Sequence, residues 1–528
     1  MSRSPPPAGG SASPVTTAAS SRPSIFAILA FPAASSPTFL SSPRSPRLDL
    51  SANSIDGSVP PELNQCRGLR HLNLSHNMID GEMNLTSLVL LDTLDVSVNR
   101  IVGRVSESFP WNCGNLVYLN ISSNNFTGGI GDYFDGCGQM LRILDVSLNR
   151  FVGEMWEGFW WLTEFWASDN KFTGMISPET FPAGCNLETL DLSGNGLSGN
   201  FPSSIGNCSK MTQLNIWGNL FTGGIPSGIG SLSELTTLLL GSNRFNRELP
   251  TELLNCAKLV FLDLSRNNFR GEIQTILGNF TSLNYLLIHS NSFSGGIEES
   301  GILRLPNLLR LDLAFNNFSR QLPIAVAEMP QLEFLMLANN DFYGEIPPEY
   351  GRITTLQALD VSFNRLIGRI PAEIGNLTSL LWLMLEGNKL TGGIPPEIGN
   401  CSSLLWLNLA NNLLSGPIPP EISLIGRDPS PTFNKNRLRN HYSLLRRVSG
   451  HEAMVAGDLP SLQLCVHLDD SPELQRELEP APQGLRRFPC LFKHFKADPN
   501  AGYHRLSSTF QQPSLRRGTV GNQPNGSA

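Results

Sequence analysis

The sequence predicts an α/β repeat solenoid, with short parallel strands stacked on a concave face and irregular, disordered segments at both termini. Two observations carry this. A phrase of the form Leu-x-x-Leu-x-Leu-x-x-Asn, loosened in places, recurs from Leu48 onward, with its Asn at 53, 77, 99, 124, 149, 170, 195, 219, 243, 267, 291, 316, 340, 364, 388 and 412. From Asn195 to Asn412 every step is 24 residues except one of 25, within the roughly 20 to 29 residue period of arrays in which each repeat supplies one strand and one return turn. A chain of 528 residues would otherwise divide into several compact domains, whereas a repeat array simply lengthens its core along one axis.

Within each repeat the Leu-x-Leu alternation makes a short strand with one buried face. A single repeat cannot bury its own leucines, so the strands must stack in parallel. The Asn that follows each strand can satisfy backbone groups of the turn, and successive Asn side chains form a ladder; losing one should cost about 1–3 kcal/mol as an unsatisfied buried polar group. A second phrase, Leu/Phe-x-Gly-x-Ile-Pro, follows the Asn at Phe221 to Pro226, Phe342 to Pro347, Leu366 to Pro371 and Leu390 to Pro395. Its Gly permits a tight bend and its Pro stops further hydrogen bonding. The 48 Gly and 38 Pro of the chain are what a turn in every repeat demands.

The second phrase and the following Ile-Gly-Asn-Leu/Cys-Thr/Ser-Ser-Leu, at 374 to 380 and 398 to 404, closely resemble the plant-specific class of leucine-rich repeat. The resemblance covers residues 48 to 426. In order and spacing it is similar to the ectodomain of a plant leucine-rich-repeat receptor-like serine/threonine kinase of the brassinosteroid-receptor-like group. It implies an extracellular ligand- or protein-recognition module whose family parent sits in the plasma membrane and signals with a co-receptor. Gly426 to Arg437 resembles the entry to the non-repeat island of such receptors. Those receptors also carry a cysteine-paired cap, further repeats, a membrane helix and a kinase domain, none of which is read in this chain. As written, the chain would reach a membrane only through a partner. A soluble leucine-rich-repeat inhibitor or decoy that binds an enzyme or a ligand is the alternative.

Three segments follow: a leader at 1–47, the solenoid of about sixteen repeats at 48–426 and an irregular tail at 427–528. In the leader, Ile25 to Phe31 is a short apolar run preceded by Arg3 and Arg22 and followed by Ala33, Ala34 and Ser35, an outline only loosely that of a secretory signal. No apolar run approaches the roughly 18 residues that span a bilayer. The formal net charge of -7 hides an asymmetry, since residues 427–528 hold 14 Lys and Arg against 9 Asp and Glu. This balance is unlike a nucleic-acid binder. The tail lacks periodicity, so disorder is expected beyond about residue 440.

Enzymatic motifs fail on inspection. Gly194 to Gly199 matches G-x-G-x-x-G, but Asn195 belongs to the ladder and Gly199 to the turn, and no His-Arg-Asp or Asp-Phe-Gly occurs. In the tail, Cys465, His467, Cys490, His494 and His504 fit no standard zinc spacing, so neither a metal nor another cofactor is expected. Cys208, Cys256 and Cys401 share one repeat position, with Cys66, Cys137 and Cys185 near the equivalent place, and are expected to be small buried core residues.

Sequons stand at Asn73, Asn84, Asn120, Asn125, Asn207, Asn279, Asn317, Asn376 and Asn400, with another at Asn525. Asn73 and Asn120 fall between strand leucines, so glycans there would obstruct the concave face of repeats two and four; from repeat eight to sixteen none occupies such a position. That open stretch carries unusual residues at strand positions expected to face solvent. The position before the first inward leucine reads Phe261, Tyr285, Arg310, Phe334, Ala358, Trp382 and Trp406 on consecutive repeats. The position between the leucines adds Leu239, Leu287, Met336 and Met384, and the position after them adds Trp217 and His289. An exposed apolar stripe of this extent is a candidate binding surface for a peptide, a small apolar ligand or another protein. Arg310 is available there for a carboxylate.

Overall fold

The computed structural model describes residues 46–110 and 113–438. Sixteen three-residue strands, from Arg47–Asp49 to Trp406–Asn408, form one sheet in chain order. Every pairing in it is parallel, and each repeat lies in register with the next, as in Leu238 on Leu262 and Leu262 on Leu286. A second strand follows the ladder Asn in each repeat, as at Leu220–Gly223 and Asp341–Gly344. These second strands assemble into smaller parallel sheets of nine, five and two strands.

The chain returns through five-residue 3-10 turns such as Ser203–Asn207, Pro348–Arg352 and Pro396–Asn400. The helical half of most repeats is thus 3-10, with four-residue α-turns at Val105–Ser108 and Gly131–Phe134, because about five residues between a Pro and the next leucine leave no room for a longer helix. Proline ends the preceding strand as the residue before the turn, at Pro226, Pro347, Pro371, Pro395 and Pro419. The glycine inside the turn is required by close approach: a Cβ at Gly351 would lie 2.3 Å from the Glu373 carbonyl oxygen of the next repeat.

Strand leucines, turn isoleucines and the first residue of the Leu/Phe-x-Gly phrase fill one continuous core. Where that first residue is Phe, rings stack from repeat to repeat. Phe269, Phe293, Phe318 and Phe342 have successive centroid separations of 6.0, 6.3 and 6.3 Å.

The ladder is as expected, and its geometry is reciprocal. Asn267 donates its amide to the carbonyls of Leu240, Leu264 and Ser265 at 3.0, 3.2 and 3.0 Å, while its Oδ1 accepts from the Phe245 N–H at 2.9 Å. Each such side chain stitches its own turn to that of the preceding repeat. The residue just before the Asn takes a left-handed conformation, by Gly194, Gly218 and Gly387 in three repeats but also by Val98 (φ 54°), Phe315 (φ 54°) and Phe363 (φ 51°).

The cysteine expectation needs correction. Cys256 and Cys401 are free and buried, but Cys208 is bonded to Cys185 and Cys137 to Cys113, across 23 and 24 residues. Both bridges join the same position of neighbouring repeats. Cys256 and Cys401 have no such neighbour, because Leu232 and Leu377 occupy that position one repeat earlier. After the last repeat the chain does not simply become irregular. A helix at Ser430–Leu438 lies back along the solenoid, with the Gln357 and Asn436 amides paired reciprocally at 2.9 and 2.8 Å and Ser403 bonded to Thr432 at 2.9 Å. The signal-like run at 25–31, the tail beyond residue 440 with its Cys and His residues, and Asn525 lie outside the described residues. Among the described residues no helix is long and apolar enough to cross a membrane.

Candidate functional site

Strand register turns the candidate stripe into three parallel files. Phe261, Tyr285, Arg310, Phe334, Ala358, Trp382 and Trp406 are direct partners in successive pairings. Beside them run Leu239, Asp263, Leu287, Asp312, Met336, Asp360, Met384 and Asn408. Trp217 and His289 stand two residues further along their strands, on the same face by the two-residue alternation. With strands roughly 4.8 Å apart, the seven residues of the first file extend over about 29 Å.

Exposure differs from expectation. Trp406 is open to solvent, at 43%, and Trp217, Leu239, Phe334, Trp382 and Met384 are half-buried. Phe261, Tyr285, Leu287, His289, Arg310 and Met336 are buried. The stripe is therefore largely self-packed rather than exposed. Phe261 and Tyr285 stack at 5.0 Å and join Leu287 in a cluster separate from the main core, with Leu239 and Leu309 packed against it. Large side chains on adjacent strands bury one another's flanks when spaced this closely.

Arg310 is held by a partner that the sequence reading passed over. Its Nη2 lies 2.8 Å from Oδ2 of Asp312, two residues along the same strand face, and its guanidinium sits 6.0 Å from the Phe334 ring centroid. The signal was the Arg-x-Asp spacing, which places both side chains on one face. Several buried polar atoms in the files have no hydrogen-bond partner among the described residues: the donors Trp217 Nε1, Arg310 Nε and Nη1, and Trp382 Nε1, together with His289 Nε2. Buried unpaired donors are uncommon in folded proteins and call for a specific explanation. Gly241, also missed, lets the Trp217 indole lie beside Asp263: a Cβ there would be 2.7 Å from Trp217 Cδ1 and 2.8 Å from an Asp263 carboxylate oxygen.

Acidic residues in the middle file are structural in part. Asp191 accepts from the Ser193 N–H and hydroxyl and from Asn215; burial nevertheless pushes its carboxyl up to about 6. Burial likewise raises Asp360, against the hydrogen bonds from Ser362. Asn73 and Asn120 occupy this same file in repeats two and four. Both are half-buried, with their amide oxygens accepting from Ser75 and Ser122. Asn84, Asn207, Asn279, Asn317, Asn376 and Asn400 are exposed away from it, and Asn125 is half-buried. Nothing in the three files has the pairing of nucleophile, base and orienting group that acyl- or phosphoryl-transfer sites require. Their chemistry is that of contact.

Comparison with known proteins agrees with this geometry. Seven stretches, 115–137, 186–208, 210–232, 258–280, 355–377, 379–401 and 403–424, match the Leucine Rich Repeat family model. A probable LRR receptor-like serine/threonine-protein kinase of Arabidopsis thaliana is 65% identical over 247 residues, covering 47% of this chain and 22% of that protein. The serine/threonine-protein kinase BRI1-like 1 of the same organism is 32% identical over 196 residues, 30% of this chain and 17% of that protein. This chain thus spans about a fifth of the length of the curated relatives it matches, within their repeats. Among solved structures, the Arabidopsis receptor kinase HAESA in complex with the peptide hormone IDA and the co-receptor SERK1 superimposes with a TM-score of 0.55 at 27% identity, covering 71% of each chain. Repeat phrase, sheet geometry, relatives and structural likeness converge: the described residues form a leucine-rich-repeat solenoid that is similar to parts of plant LRR receptor-like kinases.

Proposed function

We propose that the described solenoid is an extracellular recognition module that takes a peptide, a small apolar ligand or a protein on its concave face, in the manner of a receptor ectodomain. The observation that carries this is the file from Phe261 to Trp406, in which bulky aromatic side chains stand in register on a sheet face and buried donors are left without partners. Core packing does not require such residues, since the leucines on the opposite face already fill the core. The role is one of binding, and any signal would pass through a co-receptor or further domains. Two disulfides among the described residues support an oxidising, secretory environment. The exposed sequons Asn84, Asn207, Asn279, Asn317, Asn376 and Asn400, with Asn125, would carry glycans clear of the files. Glycans on Asn73 and Asn120 would confine a ligand to repeats eight to sixteen.

The test uses the glycosylated full-length chain from plant cells. Immobilised wild type and a Trp382→Ala/Trp406→Ala variant are exposed to plant extracellular fluid, and retained peptides, proteins and small molecules are identified by mass spectrometry. A species held by wild type and lost from the variant, with the melting temperature nearly unchanged, is the expected result. Identical retention by both proteins would refute the concave-face reading.

A further inference from the structure

The two ends of the solenoid are unlike, and each presents what the other lacks. Trp406–Asn408 is the edge strand of the sixteen-stranded sheet at one end, and Arg47–Asp49 at the other. In repeat fifteen the N–H groups of Leu385, Gly387 and Leu390 donate to the Asn408 carbonyl, the Ala410 carbonyl and Asn412 Oδ1, at 2.9, 3.0 and 3.1 Å. The equivalent N–H groups of repeat sixteen, on Leu409, Asn411 and Leu414, meet no acceptor among the described residues. At the opposite end it is donors that are short. Asn77 Oδ1 accepts from the Ile55 N–H at 3.0 Å, whereas only the amide nitrogen of Asn53 is engaged, by the Leu50 and Ser51 carbonyls, and its Oδ1 has no donor among the described residues.

The core follows the same pattern. Ile418 occupies the Ile of the Gly-x-Ile-Pro phrase and is 76% exposed, where Ile370 is 3% exposed. Leu407, Leu409 and Leu414 are half-buried, although Leu383, Leu385 and Leu390 are fully buried one repeat earlier. Unpaired backbone groups on an edge strand are a template for another strand, and an uncapped solenoid end bares its core. The described residues that follow turn away from this end: the Asp428 N–H bonds the Ser402 carbonyl at 2.9 Å, and the helix Ser430–Leu438 runs back to Gln357 in repeat fourteen. Residues 401–426 hold one charged side chain, Glu421, so this face can be taken out of water with little charge to desolvate.

We infer that a second copy of this chain docks here head to tail. The N–H groups of Leu409, Asn411 and Leu414 donate to the Asp49 carbonyl, the Ser51 carbonyl and Asn53 Oδ1 of the next copy, and Ile418 packs beside Val59 of that copy. The occupant must pair in parallel and bring an amide oxygen at the ladder position, and the N-terminal end of this same chain does both. Two C-terminal ends brought together about a twofold axis would instead pair antiparallel and set donor against donor. A contact between unlike ends is heterologous, so it does not close on two copies but continues into longer assemblies.

Sedimentation equilibrium of the full-length chain tests this, with Ile418→Asp, which charges the apolar end, and Asn53→Arg, which removes the amide oxygen and obstructs the other end. Wild type is expected to show a mean mass that rises with concentration above that of one copy. Each variant alone should associate at least about tenfold more weakly, with its melting temperature unchanged because both positions are exposed. An equimolar mixture should form two-copy complexes and nothing larger, since Ile418→Asp keeps its N-terminal end and Asn53→Arg its C-terminal end. A wild type that remains one copy at every concentration would overturn the proposal and assign the ends to another part of the chain. Self-association of Asn53→Arg as strong as that of wild type would overturn it by showing like ends in contact, and so would a mixture that stays as single copies.

Discussion

Replacing Asn267 by Ala tests the ladder at a place where its losses can be counted. The side chain makes four hydrogen bonds, but three of the groups it serves have a second partner. The Leu240 carbonyl also accepts from Asn243, the Leu264 carbonyl from Asn291, and the Ser265 carbonyl from the Ser242 N–H. The Phe245 N–H, given to Asn267 Oδ1 at 2.9 Å, is the group left stranded. One orphaned buried donor costs about 1–3 kcal/mol, and the weakened carbonyls and small void add to it, so a loss of about 2–4 kcal/mol is expected. Asn53, at the start of the ladder, is exposed and bonds to Leu50 and Ser51 carbonyls, and the former also accepts from Asn77. Its replacement by Ala should cost under about 1 kcal/mol on the same reasoning. Urea unfolding followed by circular dichroism compares the two variants, with the slope checked because long repeat arrays can lose two-state behaviour. Equal losses at positions 53 and 267 would refute the account, since the ladder's value is held to lie in the buried cross-repeat donor.

Arg320 takes φ 88° where equivalent repeats place Gly295 and Gly344, and its ion pair with Glu299 is exposed at both ends; Arg320→Gly should therefore stabilise by about 1 kcal/mol, read as a higher urea midpoint. Removing one bridge with Cys185→Ala/Cys208→Ala should lower stability by about 2–4 kcal/mol, whereas Cys256→Ala, a free thiol in the same repeat position, should respond to a reductant no differently from wild type. Burial raises the folded-state carboxyl of Asp191 to about 6, from the 3.8 usual for an aspartate. Protonation thus favours the folded state, and its contribution is fully present below about pH 4 and lost as pH rises through 6, by up to about 3 kcal/mol. Asp191→Asn should flatten that part of the stability profile; an unchanged pH dependence in the variant would show that the carboxyl titrates normally.

Periodic features were legible because each repeat restates them. All sixteen ladder positions, the strand register and the aromatic file follow from a fixed spacing, and a two-residue alternation fixes which side chains share a face. What escaped notice depends on relations between repeats rather than within one. Cys208 and Cys256 look alike in their local phrases. They differ because Cys185 stands one repeat before the first and Leu232 one repeat before the second, a signal visible only when the repeats are aligned. The half-burial of the stripe was missed for a related reason: a side chain that points away from the core is not thereby in solvent when its neighbours on adjacent strands are Phe, Tyr and Arg. The left-handed residue before each Asn carries no fixed residue type, as Val98 and Phe315 show, so composition could not mark it.

These relations bear on how such a surface can specialise. Stability resides in the leucine core, the phenylalanine stacks and the ladder, all on or behind the far side of the sheet from the three files. Each repeat contacts only its neighbours, so a substitution in one file position disturbs at most two adjacent strands. Alanine at Ala358 and tryptophan at Trp382 are accommodated in neighbouring places of the same file on equivalent backbones. The concave face can therefore vary widely without loss of the fold, because the contacts that hold the solenoid together lie elsewhere.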